Sequence, residues 1–379
     1  MSAVDVPRAA VDDAGEDPDY LSRQLVTYIG NKRALLGNIA LALERVKARL
    51  GKTKLRALDA FAGSGVVSRF LKAHCTYLAS NDIEDYAEVL AQCHLANRGT
   101  VDLCELSARV AELNASVDTA PLSRGFIEEL YAPADEANIT TRDRVFYTRE
   151  NARRIDNYRR MLDALPQAQR IVLLAPLLGR SSVQANSSGV FKGFYKNRLT
   201  QAGQFGGSGS DALGRILGTI VLDVPVLSRF ECDVAVFRRD ANALAHELRD
   251  LDVAYLDPPY NQHPYGSNYF MLNLIANYRR PAEVSAVAGI PIDWQRSGYN
   301  VRSRSLPLLR DLAETIDARF LLVSYNDEGF IAPAAMRAML ERLGSVEVIE
   351  TQYNAFRGSR NFERRPIHVT EQLFLVEKR

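Results

Sequence analysis

Apolar residues recur at helical spacing through Leu35, Leu36, Ile39, Leu43, Val46 and Leu50, interleaved with basic positions, and the pattern stops at Gly51. This predicts a helix over residues 33–50. Lys54 to Ala60 follows as a short apolar run of strand length feeding a glycine-bearing loop. Val66 to Lys72 then reads as a helix, Tyr77 to Ser80 as a second strand ending at Asn81-Asp82, and Glu84 to Asn97 as a second helix. Strand, loop, helix, strand, helix is the opening of a parallel α/β sheet.

The alternation fades between about residues 105 and 225. Residues 149–165 have an arginine-rich helical pattern, and the apolar run Arg170 to Leu178 fits either strand or helix. Residues 176–210 hold seven glycines and six serines, too many for a packed element. Regular strand signals return at Val234 to Phe237, Leu251 to Leu256, Arg319 to Ser324 and Ile367 to Val376. The expected organisation is an arm over 1–20, a first half-domain over 21–105, an inserted domain over 106–225 and a second half-domain over 226–379. No internal repeat is evident.

Charge changes this picture locally rather than globally. The 379 residues are 47% hydrophobic and carry a net charge of only +1, which allows a large core and excludes a uniformly basic nucleic-acid binder. Residues 1–20 carry six acids against Arg8 and read as a solvated or disordered arm. Residues 141–220 carry thirteen Lys and Arg against five acids, either a solvated helix face or a footprint for a phosphate backbone. The four cysteines have no Cys-x-x-Cys spacing and the five histidines are scattered, so neither a disulfide framework nor a metal site is indicated. No uninterrupted apolar stretch reaches 18 residues, and a cytoplasmic, metal-free protein is expected.

The most informative chemistry lies at Asp257-Pro258-Pro259-Tyr260, directly after the apolar run Val253 to Leu256. Each proline fixes its own φ and biases the residue before it toward extended geometry, so the carboxylate and the ring project from a stiff segment. A flat, amine-bearing base can stack on Tyr260 while Asp257 and the Pro258 carbonyl accept its amino protons. Upstream, Phe61-Ala62-Gly63-Ser64-Gly65 ends the first strand at the sheet edge where α/β proteins bind ligands, and its glycines let backbone approach without a Cβ. Asp82 follows Gly63 by 19 residues, near the spacing at which an acid takes ribose hydroxyls.

The tetrapeptide at 257–260 resembles the catalytic motif of amino-methyltransferases that act on nucleobases. Three further segments, in matching order, resemble the Dam-type (α-class) adenine-specific DNA methyltransferase family. These are Thr27-Tyr28-Ile29-Gly30-Asn31-Lys32-Arg33, Ala57 to Gly65, and Asn81-Asp82. The resemblance implies a Rossmann-like S-adenosylmethionine-dependent methyltransferase sheet with an inserted target recognition domain. It assigns Tyr28, Gly30, Lys32, Asp59, Phe61, Gly63, Gly65 and Asp82 to the cofactor, with Lys32 pairing a methionyl carboxylate. Gly30-Asn31 stands where relatives often have two glycines. Asp240 is either the acid that takes the cofactor's adenine or a surface aspartate after a strand. Asp257, Pro258, Pro259 and Tyr260 form the catalytic set, acting on a base flipped from the duplex. At the ordinary aspartate value of about 3.9, Asp257 would be ionised at neutral pH with no shift. His263 is read as a packing residue or a DNA contact, and Ser324-Tyr325-Asn326 resembles a later motif beside the base pocket.

Within the insertion, Phe191 to Arg198 interleaves aromatics with cations, so Lys192, Tyr195, Lys196, Asn197 and Arg198 are expected at DNA, with Gln184 and Asn186 as readers of base edges. A later group, Arg357, Arg360, Arg364 and Arg365, either clamps the backbone or solvates the surface. The expected function is transfer of methyl to adenine in duplex DNA, either alone or paired with a cognate restriction endonuclease. An RNA adenine methyltransferase and a catalytically idle nucleic-acid binder are the alternatives.

Overall fold

The computed structural model describes residues 15–207, 209–210, 212–354 and 368–379. Seven strands, β1 (Leu55–Asp59), β2 (Cys75–Asp82), β3 (Asp233–Arg238), β4 (Leu251–Leu256), β5 (Ala318–Asn326), β6 (Gly344–Asn354) and β7 (His368–Lys378), make one sheet in the order β3-β2-β1-β4-β5-β7-β6. Strands β1 to β5 are parallel to one another, and β7 runs antiparallel between β5 and β6.

The side-chain period of two decides the layers. Leu58, Ala254, Leu256, Leu321 and Val323 face one apolar layer with the helices Arg302–Thr315 and Pro333–Glu341. Leu55, Ala57, Val253, Tyr255, Phe320 and Leu322 face the other, covered by the helices Leu36–Leu50 and Val66–Lys72. The central strands are apolar on both faces because helices cover both, which is why they read as continuous apolar runs. The helix predicted at 33–50 opens with a 3₁₀ turn at Arg33–Leu35 and ends at Gly51, whose φ of +64° is the left-handed cap that glycine permits.

Between β2 and β3 the chain builds helices Leu103–Thr119, Arg149–Asp163 and Gln167–Val183, and no strand among the described residues. Leu106, Val110, Leu113 and Val117 put one apolar stripe against Ile155, Tyr158 and Leu162. That core continues into Tyr86 and Leu90 of the helix Asp85–His94 and into Phe270 to Ile275 of the helix Phe270–Asn277. The ambiguous run at 170–178 is helical. The helix runs to Val183, into the stretch whose glycines and serines argued against a packed element. Gly179 is needed there: a Cβ would lie 2.8 Å from the Leu25 carbonyl oxygen. The Ser182 hydroxyl accepts from the Thr27 amide at 3.0 Å, so residues 25–27 are held along this helix.

Two expectations change. Residues 18–20 of the expected arm are folded: helix Pro18–Ser22 buries Tyr20, whose hydroxyl donates to the His94 carbonyl at 2.6 Å. Residues 1–14, like Arg357, Arg360, Arg364 and Arg365, lie outside the described residues. Strand β6 is additional; its charged positions Glu347 and Glu350 suit a sheet edge and masked the strand signal.

An alanine in a helix interior ordinarily gains about 1 kcal/mol over glycine. At Gly214, where nothing lies within 4 Å of the added carbon, Gly214→Ala should therefore raise the melting temperature or leave it unchanged. At Gly179 the clash is with backbone and costs roughly 1–3 kcal/mol, so Gly179→Ala should lower it. Equal responses of the two variants in thermal unfolding would refute the tight docking of residues 25–27.

Candidate active site

Strand β1 connects outward to β2 and β4 outward to β5, so the switch of direction lies between β1 and β4. A cleft of about 890 Å³, counting its open mouth, sits at the carboxyl ends of these strands. Tyr28, Gly30, Lys32, Asp59, Phe61, Gly63, Asp82, Asp240, Asp257 and Pro259 all line it. Pro258 is buried behind them, Gly65 stands at the start of helix Val66–Lys72, and Tyr260 packs edge-on to Tyr325 at 6.2 Å between ring centres.

The glycine loop depends on two departures from ordinary backbone. Gly63 and Gly65 have φ of +54° and +76°, and a Cβ on Gly63 would come within 2.8 Å of the Tyr28 hydroxyl. The Gly63 amide donates to Asp82 Oδ2 at 2.8 Å, and the Glu84 amide donates to Asp82 Oδ1 at 2.9 Å. Asn81 joins three strand ends by donating to the carbonyls of Ala60 and Arg239 and accepting from the Arg239 amide, each at 3.1 Å. Asp59 accepts from Ser68 Oγ at 2.6 Å, while its Oδ1 is buried without a hydrogen-bond partner. Gly30 has φ of +76° but Asn31 is not in the left-handed region, so this turn needs one glycine rather than two.

Lys32 is almost fully buried. Its Nζ lies 3.1 Å from Asp257 Oδ1 and 2.7 Å from Glu371 Oε1 on β7, and 5.6 Å from the centre of the Tyr260 ring. Burial pulls the Lys32 pKa down, but the two carboxylates outweigh it and hold the ammonium well above its ordinary range. That charge is shared between Asp257 and Glu371 within the protein. Asp257 also departs from the ordinary value expected of it. Burial raises its pKa and Glu371 adds to this, while Lys32 opposes; the balance is a pKa of about 7. Asp59 is likewise pushed up to about 7 by burial, and Glu84 to about 8 by burial and the neighbouring Asp82. A cleft so dense in carboxyls favours cationic ligands once those groups ionise.

Asp240 caps the helix Ala241–Ala245, accepting from the Ala243 amide at 3.1 Å, and it also faces the cleft. Tyr28 stacks on Tyr265 and Tyr269 at 5.2 and 4.7 Å, and the Ile29 amide donates to the Tyr269 hydroxyl at 2.8 Å. These rings fix the segment that delivers Gly30 and Lys32. Tyr265, Tyr299, Glu84 and Glu371 were not singled out from sequence. Glu84 was signalled only by the acids around it at Asp82 and Asp85. Glu371 sits two positions before the apolar run Leu373 to Val376, which reads as an ordinary strand end.

The aromatic and basic segment divides into two roles. Phe191 is buried and Phe194 half-buried, packed around Phe146, and the Phe191 amide donates to the Asn268 carbonyl at 2.7 Å, fastening the segment to the helix Tyr265–Asn268. Lys192 and Arg198 are exposed, and Lys196 Nζ lies over the Phe194 ring at 5.3 Å. Among the described residues no acid pairs with these three cations. By contrast, Arg149 and Arg153 pair with Glu128, and Arg154 with Asp118, so the helical arginines are largely engaged within the protein. Tyr195 is half-buried, with its ring against Gly207. The Asn197 amide is used in the turn, accepting from Leu199 and Thr200 and donating to Gln204. Gln184 and Asn186 are buried, and Asn186 bridges Val145, Gln204 and Gly206; burial removes both as readers of base edges. His263 is exposed, with its pKa lowered by partial burial and by Lys192.

Residues 28–339 match the model of the D12 class N6 adenine-specific DNA methyltransferase. The chain is similar to the type II methyltransferase M.NlaIII of Neisseria lactamica, 28% identical over 93% of this chain and 99% of that protein. It is similar to the type II methyltransferase M.CviAII of Paramecium bursaria Chlorella virus 1, 27% identical over 88% and 93% of the two chains. The modification methylase StsI of Streptococcus sanguinis is 26% identical over 93% of this chain and 52% of its own length. The matched family acts on adenine in DNA, which sets aside the RNA enzyme and the idle binder. With this extent of match laid over the cleft, the chain belongs to the D12 class N6 adenine-specific DNA methyltransferase family.

Proposed function

We propose that the methyl donor is S-adenosylmethionine, held by the Gly63–Gly65 turn, Asp59, Phe61 and Asp82, and that the target adenine enters against Asp257, Pro258, Pro259 and Tyr260. One observation carries this reading: the glycine turn and the 257–260 turn open into a single cleft at the switch point of the sheet. The residues fit the donor. The close approach at Gly63 leaves no room for a Cβ, Asp59 Oδ1 is an orphaned buried acceptor, and the carboxyl-rich lining suits a cation. When bound, S-adenosylmethionine supplies an electrophilic sulfonium methyl.

The protein's part is positioning and proton handling. Adenine's amino lone pair is delocalised into the ring; hydrogen bonds from its N–H groups to Asp257 and the Pro258 carbonyl localise it toward the methyl. Tyr260 stacks on the base, a contact worth roughly 1–3 kcal/mol. On gaining the methyl, the nitrogen must shed a proton, and Asp257 is the acceptor. Orientation supplies most of the acceleration. Lys192, Lys196 and Arg198 neutralise phosphates, while the inserted helices carry the target-reading surface. The type II and modification-methylase relatives support a role in protecting DNA from a cognate restriction endonuclease.

Expression in a methylation-free host, followed by single-molecule sequencing of its DNA, should reveal one motif carrying N6-methyladenine. Asp257→Ala should lower transfer by about 10³-fold or more while S-adenosylmethionine still binds; retained transfer would overturn the assignment. Neutralising Lys192, Lys196 and Arg198 together should reduce the slope of log affinity against log salt by up to about 2–3. An unchanged slope would remove that segment from the interface.

The cleft acids also set a pH dependence. Asp59 and Glu84 have pKa values raised to about 7 and about 8, so their stabilising protonation is complete below ordinary carboxylate values and lost as pH rises through 7 to 8. Buried His74 and His94 are depressed to about 4 and about 3, and their penalty falls only below about 6.5. Between pH 6.5 and 8 the cofactor-free protein should therefore lose roughly 3 °C or more of melting temperature, and saturating S-adenosylmethionine should reduce the loss. A flat profile without cofactor would show that the acids ionise at no cost.

A further inference from the structure

Three neighbouring strands contribute to one small ionic cluster beneath the 257–260 turn. Asp257 follows β4, Ser324 is on β5, and Glu371 is on β7, where it pairs in register with Asn326. Lys32 reaches in from the segment ahead of helix Leu36–Leu50 and is the cation between the two carboxylates. Glu371 makes the shorter contact, 2.7 Å against 3.1 Å, and Ser324 Oγ donates to the same Glu371 oxygen at 2.6 Å. Ser324 and Glu371 are both essentially inaccessible to solvent. With Asp257 ionised, two carboxylates and one ammonium leave the cluster with one net negative charge.

A lysine alone beside Asp257 would neutralise the carboxylate that has to accept the target's amino protons. A buried lysine bound to Asp257 alone would also compete with the entering base. Glu371 relieves both conditions. We propose that Glu371 is a positioning residue for methyl transfer: it draws the Lys32 ammonium onto its own carboxylate, with Ser324 fixing its angle, so that the ionised Asp257 carboxylate is not neutralised by Lys32 and stays basic toward the adenine amine. This rests on the assignment of Asp257 to the target base. The remaining ionisable neighbours of Asp257 are Asp59 on β1 and the hydroxyls of Tyr255, Tyr260 and Tyr265, whose pKa values burial holds above the ordinary tyrosine range, so they stay neutral. Glu371 and Lys32 push the Asp257 pKa in opposite directions, Glu371 upward and Lys32 downward.

The test is the pH dependence of kcat/KM for duplex DNA in the full-length enzyme, which reports groups of the free enzyme. Activity requires ionised Asp257, so the wild-type rate should rise with pH through an acid limb. Glu371→Gln removes a negative neighbour and should move that limb to lower pH by on the order of one unit, with a lower plateau. Lys32→Met should move the limb to higher pH, and Glu371→Asp should return it toward the wild-type position. Loss of activity in Glu371→Gln with an unmoved limb would reduce Glu371 to a packing residue and overturn the proposal. Should Glu371→Gln fail to fold, Ser324→Ala loosens the same carboxylate with one small deletion; a downward shift supports the proposal and an unmoved limb overturns it. A wild-type enzyme that methylates no adenine at all would refute the assignment of the site itself, a result separate from either outcome.

Discussion

A single ammonium held between two carboxylates ties together the parts that make this cleft. Lys32 comes from the chain ahead of the first long helix, Asp257 from the end of the central strand β4, and Glu371 from the antiparallel strand β7. Burying three charges is costly unless each is paired, and here the geometry pairs them. The same cluster explains why the segment around Tyr28 must be rigid: Lys32 is useful only if its ammonium arrives within about an ångström of its place. The stacked rings of Tyr28, Tyr265 and Tyr269, and the Tyr269 hydroxyl under the Ile29 amide, supply that rigidity.

The helices between β2 and β3 are not hung from the sheet by a linker. Their apolar stripe runs into the helix that follows β2 and into the one that follows the 257–260 turn. The segment carrying Lys192, Lys196 and Arg198 is bonded to the Asn268 carbonyl, only a few residues past the 257–260 turn. A load on that segment is thus borne by the helix next to the site, through packed side chains and a backbone hydrogen bond.

The sheet was legible because its centre is apolar on both faces and its turns carry glycine or proline at positions where backbone geometry demands them. Strands β1, β2, β4 and β5, and the convergence of the 57–65, 81–82 and 257–260 segments, follow from that. What was not legible depends on neighbours far away in sequence. Asn186 looks like a reader of bases until Val145, Gln204 and Gly206 are seen to surround it. The arginines of helix Arg149–Asp163 look like a free basic face until Glu128 and Asp118 are placed beside them. Glu371 carries no local mark at all, because its role exists only where β7 lies beside β5. The pairing of Lys32 with Glu371 was hidden for the same reason.

The pairing of Lys32 with Glu371 spans 339 residues of chain. Closing so long a loop costs entropy that grows only slowly with length, but it comes late, since both partners must already be synthesised and the sheet between them largely assembled. β7 must also enter between β5 and β6, which precede it in the chain. A nascent chain that already presents the glycine turn and the 257–260 turn has Asp257 beside Lys32 but still lacks the second carboxylate, Glu371. A partly made chain thus lacks the ionic lock that β7 completes under the 257–260 turn.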